Sequence, residues 1–173
     1  MKNTIYLIKE TTINEGVFNS IEVKAFLNYE NALKYVEKEL ENYSEFIEED
    51  DDVEIIEDGL ESVIFDDDNF SKILYSVDLM ELKEDTNPKT IHLYTEVNAY
   101  DSGEVISHAL GFLTQQEAKN EMMSEICNRS KKDSENYYWI SDGDIDDGYI
   151  ELNNEYGDIS YLECSSITLN LDK

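Results

Sequence analysis

Carboxylates dominate the side chains of this chain that could do chemistry. Its 173 residues hold 41 Asp and Glu against 13 Lys and Arg, a formal net charge of −28 at pH 7. Two stretches contain no Lys or Arg at all, Glu41 to Asp68 and Asp133 to Asp172. The first holds Glu48, Glu49, Asp50, Asp51, Asp52 and Glu54, then Asp66, Asp67 and Asp68. The second holds Asp142, Asp144, Asp146, Asp147 and Glu151, with Glu155 and Asp158 beyond. Carboxylates at this density can ligate a cation, exchange protons with a substrate, or present a negative field to a basic partner. Self-repulsion at such a net charge opposes the compact state, so the density calls for a reason.

Cation ligation fails on spacing. Asp142, Asp144 and Asp146 match the first, third and fifth positions of a calcium loop, but Asp147 stands where the sharp turn needs Gly and Asn153 where a bidentate Glu belongs. Proton chemistry fails on specificity, because so many carboxylates guarantee close pairs without implying a reaction. His92 and His108 fall in strand-like runs and read as packed or surface histidines rather than bases. Cys127 lies near a helix C-terminus, away from the N-terminal position that lowers a thiol pKa. With Cys164 it forms neither a disulfide framework nor a zinc spacing. The expectation is a protein that is not an enzyme and needs no cofactor or metal.

The elements that position the carboxylates come in two similar sets. At an offset of 86 residues, Thr4-Ile5-Tyr6-Leu7 matches Thr90-Ile91-His92-Leu93, Glu10 matches Glu96, and Phe26-Leu27 matches Phe112-Leu113. Ala32 and Glu39 match Ala118 and Glu125, and Ile73 and Tyr75 match Ile159 and Tyr161. Each copy opens with two strands, near Thr4–Glu10 and Ile21–Leu27, then Thr90–Val97 and Val105–Leu113. Ile21, Val23, Ala25 and Leu27 alternate in the first copy and Ile106, His108, Leu110 and Phe112 in the second. That alternation differs in phase by one, which points to a bulge or a changed register.

A helix follows in both. Asn28 caps the first, with Ala32, Val36 and Leu40 at helical spacing; Thr114 and Glu117 form a capping box for the second, with Ala118, Met122 and Ile126 on one face. Strands then resume. Val53–Ile56 and Ser62–Phe65 flank Asp58-Gly59, a tight-turn dipeptide, and Ile73–Leu82 closes the copy. Tyr137–Ile140, Tyr149–Leu152 and Ile159–Leu169 are the counterparts. The predicted fold is α+β, a tandem duplication of a β-β-α-β-β module with an extra short strand, its antiparallel sheets each covered by one helix. The first module spans 1–86 and the second 87–173, joined at Glu84-Asp85-Thr86-Asn87-Pro88 and packed together.

Charge selects the partner. Phosphates of nucleic acids and anionic membranes repel this chain, so direct binding to either is excluded and a basic surface is favoured. No apolar run reaches the roughly 18 residues of a membrane span, and the start reads as a strand rather than a secretory leader, so a cytoplasmic protein is expected. The plain alternative is a solvated, solubilising face. Repetition in both copies without interspersed cations favours a partner instead, since ordinary surfaces mix both signs. Same-face residues of a strand stand about 6.6 Å apart, of the order of the step between phosphates, so carboxylates on hairpins can imitate a nucleic acid.

With tracts such as Glu48-Glu49-Asp50-Asp51-Asp52 and a small, very acidic chain throughout, the protein resembles inhibitors of host defence nucleases encoded by phages and mobile elements. These include anti-restriction and anti-CRISPR proteins, several of them DNA mimics. The resemblance implies a basic nucleic-acid-binding partner, a defence nuclease or its complex, with the Asp and Glu of the two acidic stretches as partner-binding residues. Tyr43, Phe46, Tyr137, Tyr138, Trp139, Tyr149 and Tyr156 lie in the same stretches and supply core packing or interface anchors.

Overall fold

Alternation along the longest apolar strands sets up the architecture. In β1 (Asn3–Asn14), Ile5, Leu7 and Ile13 share one face and Tyr6, Ile8 and Glu10 the other, as a period of two requires. β1 pairs antiparallel with β2 (Val17–Phe26) on one side and with β5 (Ser71–Leu82) on the other. α1 (Tyr29–Phe46), β3 (Val53–Ile56) and β4 (Val63–Asp66) complete a five-stranded antiparallel sheet in the order β2-β1-β5-β4-β3. The second set comprises β6 (Thr90–Ala99), β7 (Val105–Phe112), α2 (Gln115–Arg129), β8 (Tyr138–Asp144), β9 (Tyr149–Asn154) and β10 (Ile159–Thr168). Its five-stranded antiparallel sheet has the order β7-β6-β10-β9-β8. The fold is thus α+β, and the computed structural model describes residues 3–15, 17–46, 53–56, 59–66, 71–82, 88–131 and 137–169. The chain forms two compact units, one ending its main span at Thr86 and the other running from Asn87 to Asn170.

Each helix begins where the sequence supplies an oxygen for its free N–H groups. The Asn31 backbone N–H donates to Asn28 Oδ1 at 2.8 Å, and Thr114 and Glu117 exchange both bonds of a capping box. One apolar stripe of each helix then meets its sheet. Ala32, Val36 and Leu40 are buried with Ile8, Leu60, Ile64 and Tyr75. Ala118, Met122 and Ile126 are buried with Tyr94, Tyr138, Ile150, Leu152 and Leu162. Burying each Val- or Leu-sized side chain contributes about 1.5–3 kcal/mol, so a single Met122→Asp change would undo the second core.

Expectation and structure agree on the strands after each helix and differ on the phase of the strand before it. The extra short strand expected after each helix is present, because the edges β3 and β8 each pair in their own hairpin. Asp58 of the expected turn lies outside the described residues; Gly59, between β3 and β4, adopts a left-handed φ of 61°. Leu60 follows and drops into the core. The phase difference between β2 and β7 is neither bulge nor slip. Tyr6 pairs with Phe26 and His92 with Phe112, the same register in both units. Ile21, Val23 and Ala25 therefore lie on the face away from α1, whereas Ile106 and Leu110 lie on the face of β7 that carries α2. A real irregularity in β1–β2 sits further along, between Thr12 and Ile13.

The one-residue slip occurs at the last strand instead. Glu10 pairs with Tyr75, but Glu96 pairs with Leu162. Tyr75 consequently packs beneath α1, while Tyr161 points away from α2. No helix among the described residues is long and apolar enough to cross a membrane.

Candidate acidic interface

The carboxylates of the second unit are placed by the β8–β9 hairpin. β8 pairs with β9 through Tyr138–Asn154, Trp139–Asn153 and Ile140–Leu152, then shifts by one residue, so that Asp142 faces Glu151 and Asp144 faces Tyr149. Ser141 is the extra residue of this bulge, and its hydroxyl donates to Glu151 Oε1 at 2.8 Å. Gly143 follows with φ of 91°. A Cβ there would lie 2.3 Å from the Tyr149 carbonyl oxygen, so only glycine lets the strands close. The turn from Ile145 to Gly148 carries Asp146 and Asp147; the Asp146 N–H donates to Asp144 Oδ1 at 2.8 Å.

The bulge decides which face the charges share. Ile150 and Leu152 lie in the core under α2, so their neighbours Tyr149, Glu151 and Asn153 take the opposite face of β9. Pairing across β8, β9 and β10 then builds three rungs on that face: Asp144–Tyr149–Glu163, Asp142–Glu151–Tyr161 and Trp139–Asn153–Ile159. Rungs of this kind stand about 4.8 Å apart between strands and about 6.6 Å apart along them. Asp142, Asp144 and Glu163 are exposed, Glu151, Tyr149 and Tyr161 half-buried, and Trp139 is 42% exposed. The patch alternates carboxylates with aromatic rings across three strands rather than following one line.

Electrostatics around it are one-sided. Burial and then the Glu151 carboxylate push the Tyr149 and Tyr161 hydroxyls above the usual tyrosine value, which keeps both rings neutral. The near cation is Lys119 of α2, whose ammonium donates to the Asp146 carbonyl at 3.0 Å and so fastens the turn to the helix. Cys164 is likewise held up by burial, against the pull of Lys119.

Among the expected site residues, the hairpin gathers Asp142, Asp144, Asp146, Asp147 and Glu151. Asp158 does structural work instead: its carboxylate accepts from the Asp101 N–H and from Asn154 Nδ2, closing the β9–β10 turn. Glu54 lies in β3, paired with Phe65, and Asp66 in β4, paired with Val53 and Ser71. Glu48, Glu49, Asp50, Asp51, Asp52, Asp67 and Asp68 lie outside the described residues. Glu163 and Tyr161 are the members that sequence reasoning passed over. Their signal is the alternation of β10, where Ser160 and Leu162 are buried and Tyr161 and Glu163 take the other face.

The other chemical residues stay apart. Among the described residues no three His, Cys, Asp or Glu side chains gather as a metal site. His92 Nδ1 sits 2.9 Å from Ser166 Oγ on the surface, and both cysteines are free thiols. No protein-family model, curated protein or solved structure matches the chain.

Proposed function

We propose that this protein is an acidic inhibitor that occupies the basic nucleic-acid-binding surface of a defence nuclease and denies it substrate. The observation that carries the reading is the three-strand patch in which Asp142, Asp144, Glu151 and Glu163 surround Trp139, Tyr149 and Tyr161. Carboxylates meet the Lys and Arg that such an enzyme uses for phosphates, and the rings supply the anchors that concentrate binding energy. A net charge of −28 steers the encounter and makes it salt-sensitive. The protein acts by occupancy, without catalysis or cofactor, in the cytoplasm. Its two units are read as copies of one module. The common strand order, the common β1–β2 and β6–β7 register and the matching caps support this, and the slip at the last strand records divergence.

A second reading has its own support. The patch spreads in two dimensions instead of tracing phosphate spacing, which suits an immunity protein that neutralises a basic toxin without imitating nucleic acid.

The test is capture of the basic partner by the wild-type protein and by a triple variant, Asp142→Lys, Asp147→Lys and Glu163→Lys. The variant is expected to lose at least tenfold in affinity while keeping its melting temperature. Undiminished capture would remove this patch from the interface. Added DNA or RNA then separates the readings, because it displaces a mimic and leaves a toxin bound elsewhere in place.

A further inference from the structure

The β8 edge carries an inference about how a partner is held. Among the described residues, the order β7-β6-β10-β9-β8 gives β8 a neighbour on one side only, so no described strand forms a ladder with its outer backbone N–H and C=O groups. Folded proteins usually defend such an edge with Lys, Pro or a bulge. β8 contains neither Lys nor Pro, and its bulge begins only at Ser141. Before that point Tyr138–Ile140 is regular strand, with Trp139 42% and Ile140 49% exposed. These two side chains lie on opposite faces, Trp139 with Asp142 and Asp144, Ile140 with the α2 core.

Charge decides the occupant. A second copy pairing through β8 would bring Asp142 and Asp144 against their own kind within a chain of −28, which like-charge juxtaposition opposes. A cationic strand meets the opposite situation on every count. We propose that β8 receives an extended, Lys- or Arg-rich segment of a protein partner as a sixth strand of the second sheet. Its cations lie over Asp142 and Asp144, and its alternate apolar residues lie against Ile140. Backbone pairing supplies affinity, and the two faces supply specificity by side-chain alternation. This mode rests on the reading of a basic protein partner and goes beyond it in naming a segment, an edge and a polarity of faces.

Two peptides of identical charge test it, one alternating Lys and Val and one identical except for N-methylation at every residue, which removes the donors of both edges. Fluorescence anisotropy with the full chain should show the unmodified peptide binding about tenfold or more tightly than the methylated one, the scale of losing a few net backbone hydrogen bonds. Amide shifts should centre on Trp139–Asp142, and Trp139→Ala with Ile140→Ala should weaken only the unmodified peptide. Equal binding of the two peptides, abolished by Asp142→Lys with Asp144→Lys, would overturn strand addition while leaving the basic-partner reading intact. Binding indifferent to that charge reversal would count against both. Failure of both peptides to bind would overturn the edge proposal alone, with the partner reading still decided by the capture experiment. Concentration-dependent dimers through β8 would overturn it in favour of a second copy.

Discussion

Glu10 and Glu96 occupy the same place in β1 and β6, on the face that carries the helix, and the protein treats their charges in opposite ways. Glu96 is 9% exposed and fully engaged. It accepts from the Tyr94 hydroxyl at 2.9 Å, from Asn98 Nδ2 at 2.6 Å and from the Arg129 guanidinium. Arg129 is the chain's single arginine, and it also donates to Glu125, Asn98 and Ser160 and stacks 5.4 Å from the Tyr138 ring. Ser160 in turn donates to Asn98 at 2.7 Å, so each member of the network is satisfied. Glu10 has no arginine. Its Oε2 accepts from the Tyr35 hydroxyl at 3.3 Å, and the Lys24 ammonium reaches Tyr35 at 3.0 Å. Burial raises the Glu10 pKa, and the Tyr35 hydrogen bond only partly opposes it. One sheet therefore ties its helix down with a buried ion pair, and the other tolerates a carboxylate half out of water.

The comparison breaks most sharply at Arg129. Arg129→Met strands Glu96 beneath α2, and losing one partner of a buried pair costs about 3 kcal/mol or more. Chemical denaturation should show that loss, and adding Glu96→Gln should return a large part of it by removing the orphaned charge. If the double variant stays as unstable as the single one, Arg129 acts mainly by packing on Tyr138, and the contrast with Glu10 is not electrostatic.

Local chemistry was the legible part of this molecule. Asn28 and Thr114 declare helix starts within three residues of themselves, and Ala32, Val36 and Leu40 declare the buried stripe. The equivalence of Glu10 and Glu96 was visible as a matched identity, yet nothing in the sequence paired Arg129 with Glu96, because α2 must first dock on β6. Strand faces were harder. Tyr75 and Tyr161 match at the common offset, but one residue of slip sends them to opposite faces, and alternation alone cannot register such a slip. Within the candidate interface, the tract Asp142–Asp147 was legible from charge. Glu163 and Tyr161 join it through sheet pairing some twenty residues away, which only the order β10-β9-β8 reveals.

Tyr75 sharpens the comparison from the other side. It pairs with Glu10 in register, and its hydroxyl is buried with no hydrogen-bond partner among the described residues, whereas the Tyr94 hydroxyl in the second unit donates a hydrogen bond to Glu96. An unsatisfied buried hydroxyl is costly, so Tyr75→Phe should stabilise the protein by about 1 kcal/mol, and Tyr94→Phe should destabilise it by a similar amount. Equal signs for the two would mean that hydrogen bonding does not distinguish the two sites.

The smallest effect is the most diagnostic. A carboxylate whose folded pKa lies above its ordinary 4.5 favours the folded state below that value and loses the contribution as pH rises through the folded pKa. Glu10→Gln keeps an acceptor for the Tyr35 hydroxyl and removes the charge. Its gain over wild type should be absent near pH 4, grow as pH rises from about 4.5 to the raised value, and level off above it. Partial exposure of Glu10 limits the gain to less than about 1 kcal/mol. Glu96→Gln should behave in the opposite sense at neutral pH, because it removes the charge that Arg129 requires. Melting curves of both variants from pH 4 to pH 8 would read the two signs directly. A Glu10→Gln difference that stays flat across that range would show that the first unit neutralises its central carboxylate as well as the second does.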